Sequence, residues 1–161
     1  MEQPKEKATK QQIEAYYAHF LSHIQNNLAK AKAMLGKQTL DYSIAEIDQI
    51  GKNYRDYVKK KKVKGDWHDE QFEMFVTYCG EAWMRYLGGN WKICLQKADR
   101  DYGFPIIVQW GPPEYPWTSV CPKDWARNIE SGDKDPLSLP WRNKLNYFKV
   151  SDEWGGKCRK D

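Results

Sequence analysis

The chain has no stretch approaching the roughly 18 to 20 consecutive apolar residues that a membrane-spanning helix needs. Its opening segment, MEQPKEKATKQQ, is polar and lacks the apolar run of a secretory leader, so a soluble cytoplasmic protein is expected. Cysteine is sparse: Cys79, Cys94, Cys121 and Cys158 stand 15, 27 and 37 residues apart. There is no C-x-x-C and no paired Cys/His spacing of a zinc site, which points to free thiols in a reducing compartment, with neither a disulfide staple nor a metal. The G-x-S-x-G nucleophile elbow, the G-x-x-x-x-G-K-[ST] phosphate loop and the G-x-G-x-x-G dinucleotide fingerprint are all missing, so the expectation is a protein with no cofactor and no catalytic residues.

What is present is the composition of a globular protein. Of the 161 residues, 40% are hydrophobic and 30% charged, enough to bury one core of ordinary size. Aromatics reach 14%, and all eight tryptophans (67, 83, 91, 110, 117, 125, 141 and 154) follow residue 65. Large rings there can build a dense core, a binding surface or both, and core is the ordinary fate of tryptophan. Charge is uneven: residues 1–65 carry 13 Lys and Arg against 7 Asp and Glu, whereas residues 66–161 carry 13 against 15.

Periodicity organises the chain. A helix is expected from about Thr9 to Leu35, with Ile13, Tyr16, Tyr17, Phe20, Ile24, Leu28 and Ala31 on one stripe and Gly36 as its stop. Ser43-Ile-Ala-Glu46 reads as a capping box for a second helix, flanked by Tyr42 and Ile47 at the staple positions and ending in Lys59 to Lys64 before Gly65. A third helix starts near Asp66 or Asp69, carries Phe72, Phe75, Val76, Cys79, Trp83, Tyr86 and Leu87, and stops at Gly88-Gly89. The period then switches to alternation: Trp91, Ile93 and Leu95 mark one strand and Pro105 to Trp110 a second. Beyond Gly111, Pro112, Pro113 and Pro116 stiffen a loop. A short helix from Thr118 to Ile129 and another from Asp135-Pro136 to Phe148 complete the expectation. The sum is a helix-dominated α+β single domain over 1–161 with a small antiparallel sheet, two-stranded or slightly larger, and frayed ends at 1–8 and 152–161.

Each group that could carry chemistry has a plainer reading. His19 and His23 have a two-ligand helical spacing, but a helical wheel turns both toward the polar side, so they read as solvent-exposed. Asp99-Arg-Asp101 offers paired carboxylates, and also reads as a polar turn between strands. Lys59 to Lys64 could serve nucleic acid, yet reads as a solvated helix end. Glu81 and Arg85 can pair at i,i+4; Glu81 lies opposite the apolar face, which implies either a surface pair or a second covered face.

The stretch Gly80-Glu81-Ala-Trp-Met-Arg85-Tyr-Leu87-Gly88-Gly89-Asn-Trp91, continuing through Asp101-Tyr-Gly103-Phe-Pro105, resembles a region of poorly characterised bacterial cytoplasmic proteins bearing G-E-x(5)-L-G-G-x-W. Pro116-Trp-Thr-Ser-Val120 and Asp135-Pro-Leu137 extend the likeness over about residues 75–140. Some such proteins resemble immunity proteins of bacterial toxin systems, so the resemblance implies a binder that neutralises a cognate toxin and brings no catalytic residue with it. The expectation for this chain is a protein-binding module whose partner meets Asp99, Asp101, Glu114, Tyr115 and Trp117 on stiff, aromatic loops. Nucleic acid and membrane are not expected partners, and oligomeric state is left open. Two alternatives stand beside it: a small enzyme using Asp99, Asp101, Glu81 or His68, and a nucleic-acid-binding accessory protein using Lys59 to Lys64.

Overall fold

A computed structural model describes residues 8–62, 64–66, 69–112 and 119–148. Among these the order is α1 (Lys10–Ser22), α2 (Ile24–Leu35), α3 (Ile44–Lys61), α4 (Glu70–Leu87), β1 (Asn90–Ile93), β2 (Pro105–Val108), β3 (Ser119–Val120), α5 (Pro122–Glu130) and α6 (Leu139–Tyr147). The strands form one antiparallel sheet in the order β1-β2-β3, with Trp91 opposite Ile107 and Ile107 opposite Val120. The fold is helix-dominated α+β, and the sheet gains a short third strand just before α5. No described helix is long and apolar enough to cross a membrane.

Local chemistry sets most helix ends. Thr9 and Gln12 close a full capping box on α1, and Gly36 ends α2 in the left-handed region at φ 65°. Ser43 Oγ accepts from the Glu46 N–H at 3.1 Å, as the capping box requires. The Glu46 carboxylate, however, reaches past the cap. It accepts from the Asp41 and Tyr42 amides at 3.1 and 2.9 Å, from Lys37 Nζ at 2.6 Å and from Tyr78 Oη at 2.8 Å. Each oxygen therefore takes two donors, which makes a buried charge tolerable and ties the 37–42 turn to α4. Asp69 caps α4 by accepting from the Gln71 and Phe72 amides, and Tyr57 Oη donates to its other oxygen at 2.6 Å.

The expected first helix is interrupted at His23, whose φ of −104° and ψ of 4° leave helical space. The last helix starts at Leu139 rather than at Pro136. Arg55 on α3 donates to the Asp133 and Asp135 carbonyls at 3.2 and 3.0 Å, and Asp48 accepts from the Ser138 amide at 2.8 Å. The chain is thus docked on α3 before it turns helical, with Pro140 in the first turn.

Helix α4 is the axis of the core. Phe72, Phe75, Val76, Tyr78, Cys79, Ala82, Trp83 and Leu87 are all buried, and they face more than one side of the helix. α2, α3, α5 and β2 surround it. A polar contact is threaded through this packing, where Asn27 Nδ2 donates to Thr77 Oγ1 at 3.1 Å and to Glu73 Oε1 at 3.2 Å. At the α4–α6 side, the Trp83 ring lies 5.1, 5.2 and 5.3 Å from those of Trp110, Trp125 and Trp141, and Trp125 lies 4.6 Å from Trp141. Four of the five described tryptophans therefore form one block of core.

The fifth, Trp91, explains the glycine and the acid within α4, Gly80 and Glu81. Its six-membered ring lies against the bare Cα of Gly80, where any added Cβ would overlap Trp91 Cη2 and Cζ2. Its Nε1 donates to Glu81 Oε1 at 3.1 Å, and its ring meets Phe20 edge-on at 4.9 Å. Glu81 thus holds a tryptophan, while Arg85 lies over the Tyr42 ring at 5.4 Å instead of pairing with it. The second covered face of α4 is the one that obtains.

Candidate functional site: the hairpin tip clamped to helix α5

The β1–β2 connection closes as a two-part polar turn. The Asp99 amide donates to the Gln96 carbonyl at 2.9 Å, the Tyr102 amide to the Asp99 carbonyl at 3.1 Å, and Asp99 Oδ1 accepts from the Asp101 amide at 2.8 Å. Asp99 is exposed at the tip. Asp101 faces inward, its side chain only 19% exposed, and its Oδ1 accepts from Lys123 Nζ at 3.0 Å. Sequence reading placed both acids on one partner surface; the fold separates them into an outward charge and an inward anchor.

Lys123 lies in the first turn of α5 and is buried. Besides Asp101 it donates to the Arg100 carbonyl at 3.3 Å, pairs with Asp124 Oδ1 at 3.3 Å and sits 4.8 Å from the Phe104 ring centroid. Burial alone would lower its pKa, but the hydrogen bond to Asp101 and the carboxylate charges of Asp124 and Asp101 outweigh it, and the ammonium titrates above its ordinary range. Arg100 spans the outside of the same joint, with Nη2 donating to Asp124 Oδ2 at 3.0 Å. The hairpin tip is therefore locked to α5 by one buried and one exposed cation.

Ligand atoms of Asp101, Cys121 and Asp124 lie within 4.8 Å of one another, a spacing that invites a metal. Lys123 Nζ already stands between the two carboxylates, at 3.0 and 3.3 Å, and fills the role of a cation. Cys121 Sγ donates to the Pro105 carbonyl at 3.6 Å, and burial, then the Asp101 charge, pushes its thiol far up. A protonated buried thiol is a poor nucleophile and a poor metal ligand. The cluster is built to hold backbone in place.

One turn further along α5, Arg127 donates to the Gly65 carbonyl at 2.7 Å and to both oxygens of Glu130 at 2.6 and 2.9 Å. Glu130 in turn accepts from Tyr54 Oη and the Gly65 amide, each at 3.2 Å. α5 is thus pinned to α3 and to the start of α4 as well as to the hairpin. On its outer side, α5 and α6 enclose an open cleft of about 450 Å³. Buried Trp125, Ile129 and Leu137 supply its apolar lining, and Asp135, Asn143 and Lys144 its polar lining.

Of the other residues singled out in the sequence, Glu114, Tyr115, Trp117 and His68 lie outside the described residues. Gly111 lies beside Phe148, and Ser119-Val120 pairs with β2. Lys59 to Lys62 and Lys64 are exposed at the end of α3, and Glu81 belongs to the Trp91 seat. The Lys123–Asp101 clamp and the contacts of Arg127 and Glu130 with Gly65 and Tyr54 had no sequence signal, because the partners are more than 20 residues apart along the chain; the Arg127–Glu130 pair itself has the i,i+3 spacing of a helical ion pair, which the reading passed over. No protein-family model, curated protein or solved structure matches the chain.

Proposed function

We propose that the chain is a protein-binding module of the immunity type, which covers the functional surface of a partner protein with Asp99, Asp101, Glu114, Tyr115 and Trp117. The observation that carries this reading is the clamp. An exposed acidic tip fixed to a helix by a buried lysine loses little conformational entropy on docking, so its contacts are available as affinity. A fixed outward carboxylate suits a basic partner surface and speeds encounter with it. The sequence resemblance to immunity proteins points the same way, and Glu114, Tyr115 and Trp117 belong to the proposed contact surface.

The experiment is a calorimetric titration of the purified chain with the product of the reading frame adjoining its gene. A complex is expected, weakened about tenfold by Asp99→Lys, because like charges placed face to face cost a kilocalorie or more. Lys59→Glu, at the far end of α3, should leave it unchanged. Absence of a complex at roughly 10 μM of each component, which corresponds to less than about 7 kcal/mol of binding, would overturn the reading.

A further inference from the structure

We infer that His19 and His23 form a two-imidazole chelate for a late first-row divalent cation (Ni²⁺, Cu²⁺ or Zn²⁺) at the α1–α2 break. The rings are stacked, with centroids 3.9 Å apart and planes 27° from parallel. Stacked rings aim their in-plane lone pairs side by side, so chelation requires the His19 ring to swing edge-on until one of its nitrogens and His23 Nε2 stand ~3.3 Å apart, the separation of two nitrogens on one tetrahedral zinc ion.

The second observation concerns which nitrogen is free. His23 Nδ1 lies 2.9 Å from the His19 carbonyl oxygen. A carbonyl can only accept, so the neutral ring carries its proton on Nδ1 and its lone pair on Nε2. Ser22 Oγ reinforces this arrangement, lying 2.9 Å from Nδ1 and itself donating to the His19 carbonyl at 2.7 Å. A ring that donates through one nitrogen to a backbone carbonyl and keeps the other unprotonated is the usual state of a metal-ligating histidine. The ring of His19, which is exposed, makes no hydrogen bond among the described residues and is free to turn. The break at His23 serves the same end, since its φ of −104° and ψ of 4° accompany the contact of the ring with the preceding turn. Imidazole pairs select copper, nickel and zinc over magnesium or calcium, and the positions they leave open on the ion take water or an atom of another molecule.

The test is isothermal titration of the full chain with NiCl₂ and ZnCl₂. One ion per chain is expected, with affinity lowered at least about tenfold in His19→Ala and in His23→Ala, the scale on which even outer-shell losses weaken metal sites. His23→Gln, which keeps a hydrogen-bonding amide at the break but no imidazole, should show the same loss, so a folding defect does not obscure the result. His68→Ala should bind as the parent does. Nitrogen-detected NMR of the metal-free chain should place the neutral His23 proton on Nδ1. An isotherm unchanged by the His19 and His23 substitutions, binding lost on His68→Ala or Cys158→Ser, or a proton on His23 Nε2 would each overturn the inference.

Discussion

Replacing Gly80 by alanine tests the most specific packing relation in the fold. In an isolated helix the change is favourable by about 1 kcal/mol. In this chain the new methyl would occupy the space of the Trp91 ring, so the ring must leave its seat. Leaving it forfeits the indole donation to the Glu81 carboxylate, worth about 1.5 to 3 kcal/mol, and the edge-on contact with Phe20, worth about 0.5 to 1.5 kcal/mol. Weighed against the helix gain, Gly80→Ala should destabilise by about 2 kcal/mol. The decisive measurement is a double-mutant cycle by urea unfolding, followed by circular dichroism at constant m-value. With Trp91 cut back to alanine the obstacle is gone, and Gly80→Ala should become stabilising by about 0.5 to 1 kcal/mol. That reversal of sign distinguishes a seat for tryptophan from a glycine tolerated for any other reason. Equal losses in both backgrounds would refute the reasoning.

Four further outcomes follow from the same geometry. Glu46→Gln turns two acceptor oxygens into one oxygen and one amide among four donors and should cost about 2 to 4 kcal/mol, whereas Tyr78→Phe removes one donor and should cost about 1 to 2; chemical denaturation ranks them. Lys123→Met should cost about 2 kcal/mol and raise amide exchange in residues 96–103, since Asp101 loses its buried partner; unaltered exchange there would show that the clamp does not order the tip. Trp141→Phe should cost less than about 2 kcal/mol despite the lost volume, because the buried Trp141 Nε1 finds no acceptor among the described residues and its removal relieves that penalty. Burial lifts Tyr42 and Tyr57 to about 12 and raises Tyr54 and Tyr78 as well, helped by Glu130 and Glu46 respectively. The folded chain then holds phenol protons that the unfolded chain releases from its ordinary value of 10, so stability is full below that pH and falls as pH climbs toward 12; urea midpoints that stay level across this interval would contradict it.

The parts of the fold written in the sequence are those decided within a few residues. Thr9, Ser43 and Asp69 are caps because their side chains meet amides two or three positions on, and Gly36 is a stop because it alone reaches the left-handed region there without strain. The change of period at Gly88-Gly89 likewise marks the passage from α4 to β1. What escaped reading depends on distant partners. Nothing between residues 19 and 27 breaks the apolar stripe, so the interruption at His23 has no hydropathy signal. It shows only in the side-chain contacts of Ser22 and His23 with the His19 carbonyl. Asp135-Pro136 carries the local mark of a helix start, and Arg55, 80 residues earlier, overrides it by taking the Asp135 carbonyl. Asp101 is the same case at the candidate site: its position in a turn was legible, its engagement with Lys123 was not.

This division bears on what the G-E-x(5)-L-G-G-x-W stretch can mean. Gly80 seats the Trp91 ring, Glu81 receives its indole proton, and at Gly89, where φ is 108°, a side chain would press on Ile107 and on the Val108 carbonyl. Leu87 fills the core, and its carbonyl accepts from the Gly111 amide at 2.7 Å. Each residue with a structural duty in the pattern joins the end of α4 to the sheet. The pattern therefore says how the scaffold is braced, not what it holds. The proposed contact with a partner falls to residues outside the pattern. Asp99 lies outside that pattern: it is exposed, and one of its carboxylate oxygens closes the turn on the Asp101 amide while Asp101 engages Lys123. The bracing of the sheet on α4 and the clamp of the hairpin tip on α5 thus use separate residues, so a substitution that tests the proposed contact at the tip leaves the Trp91 seat intact.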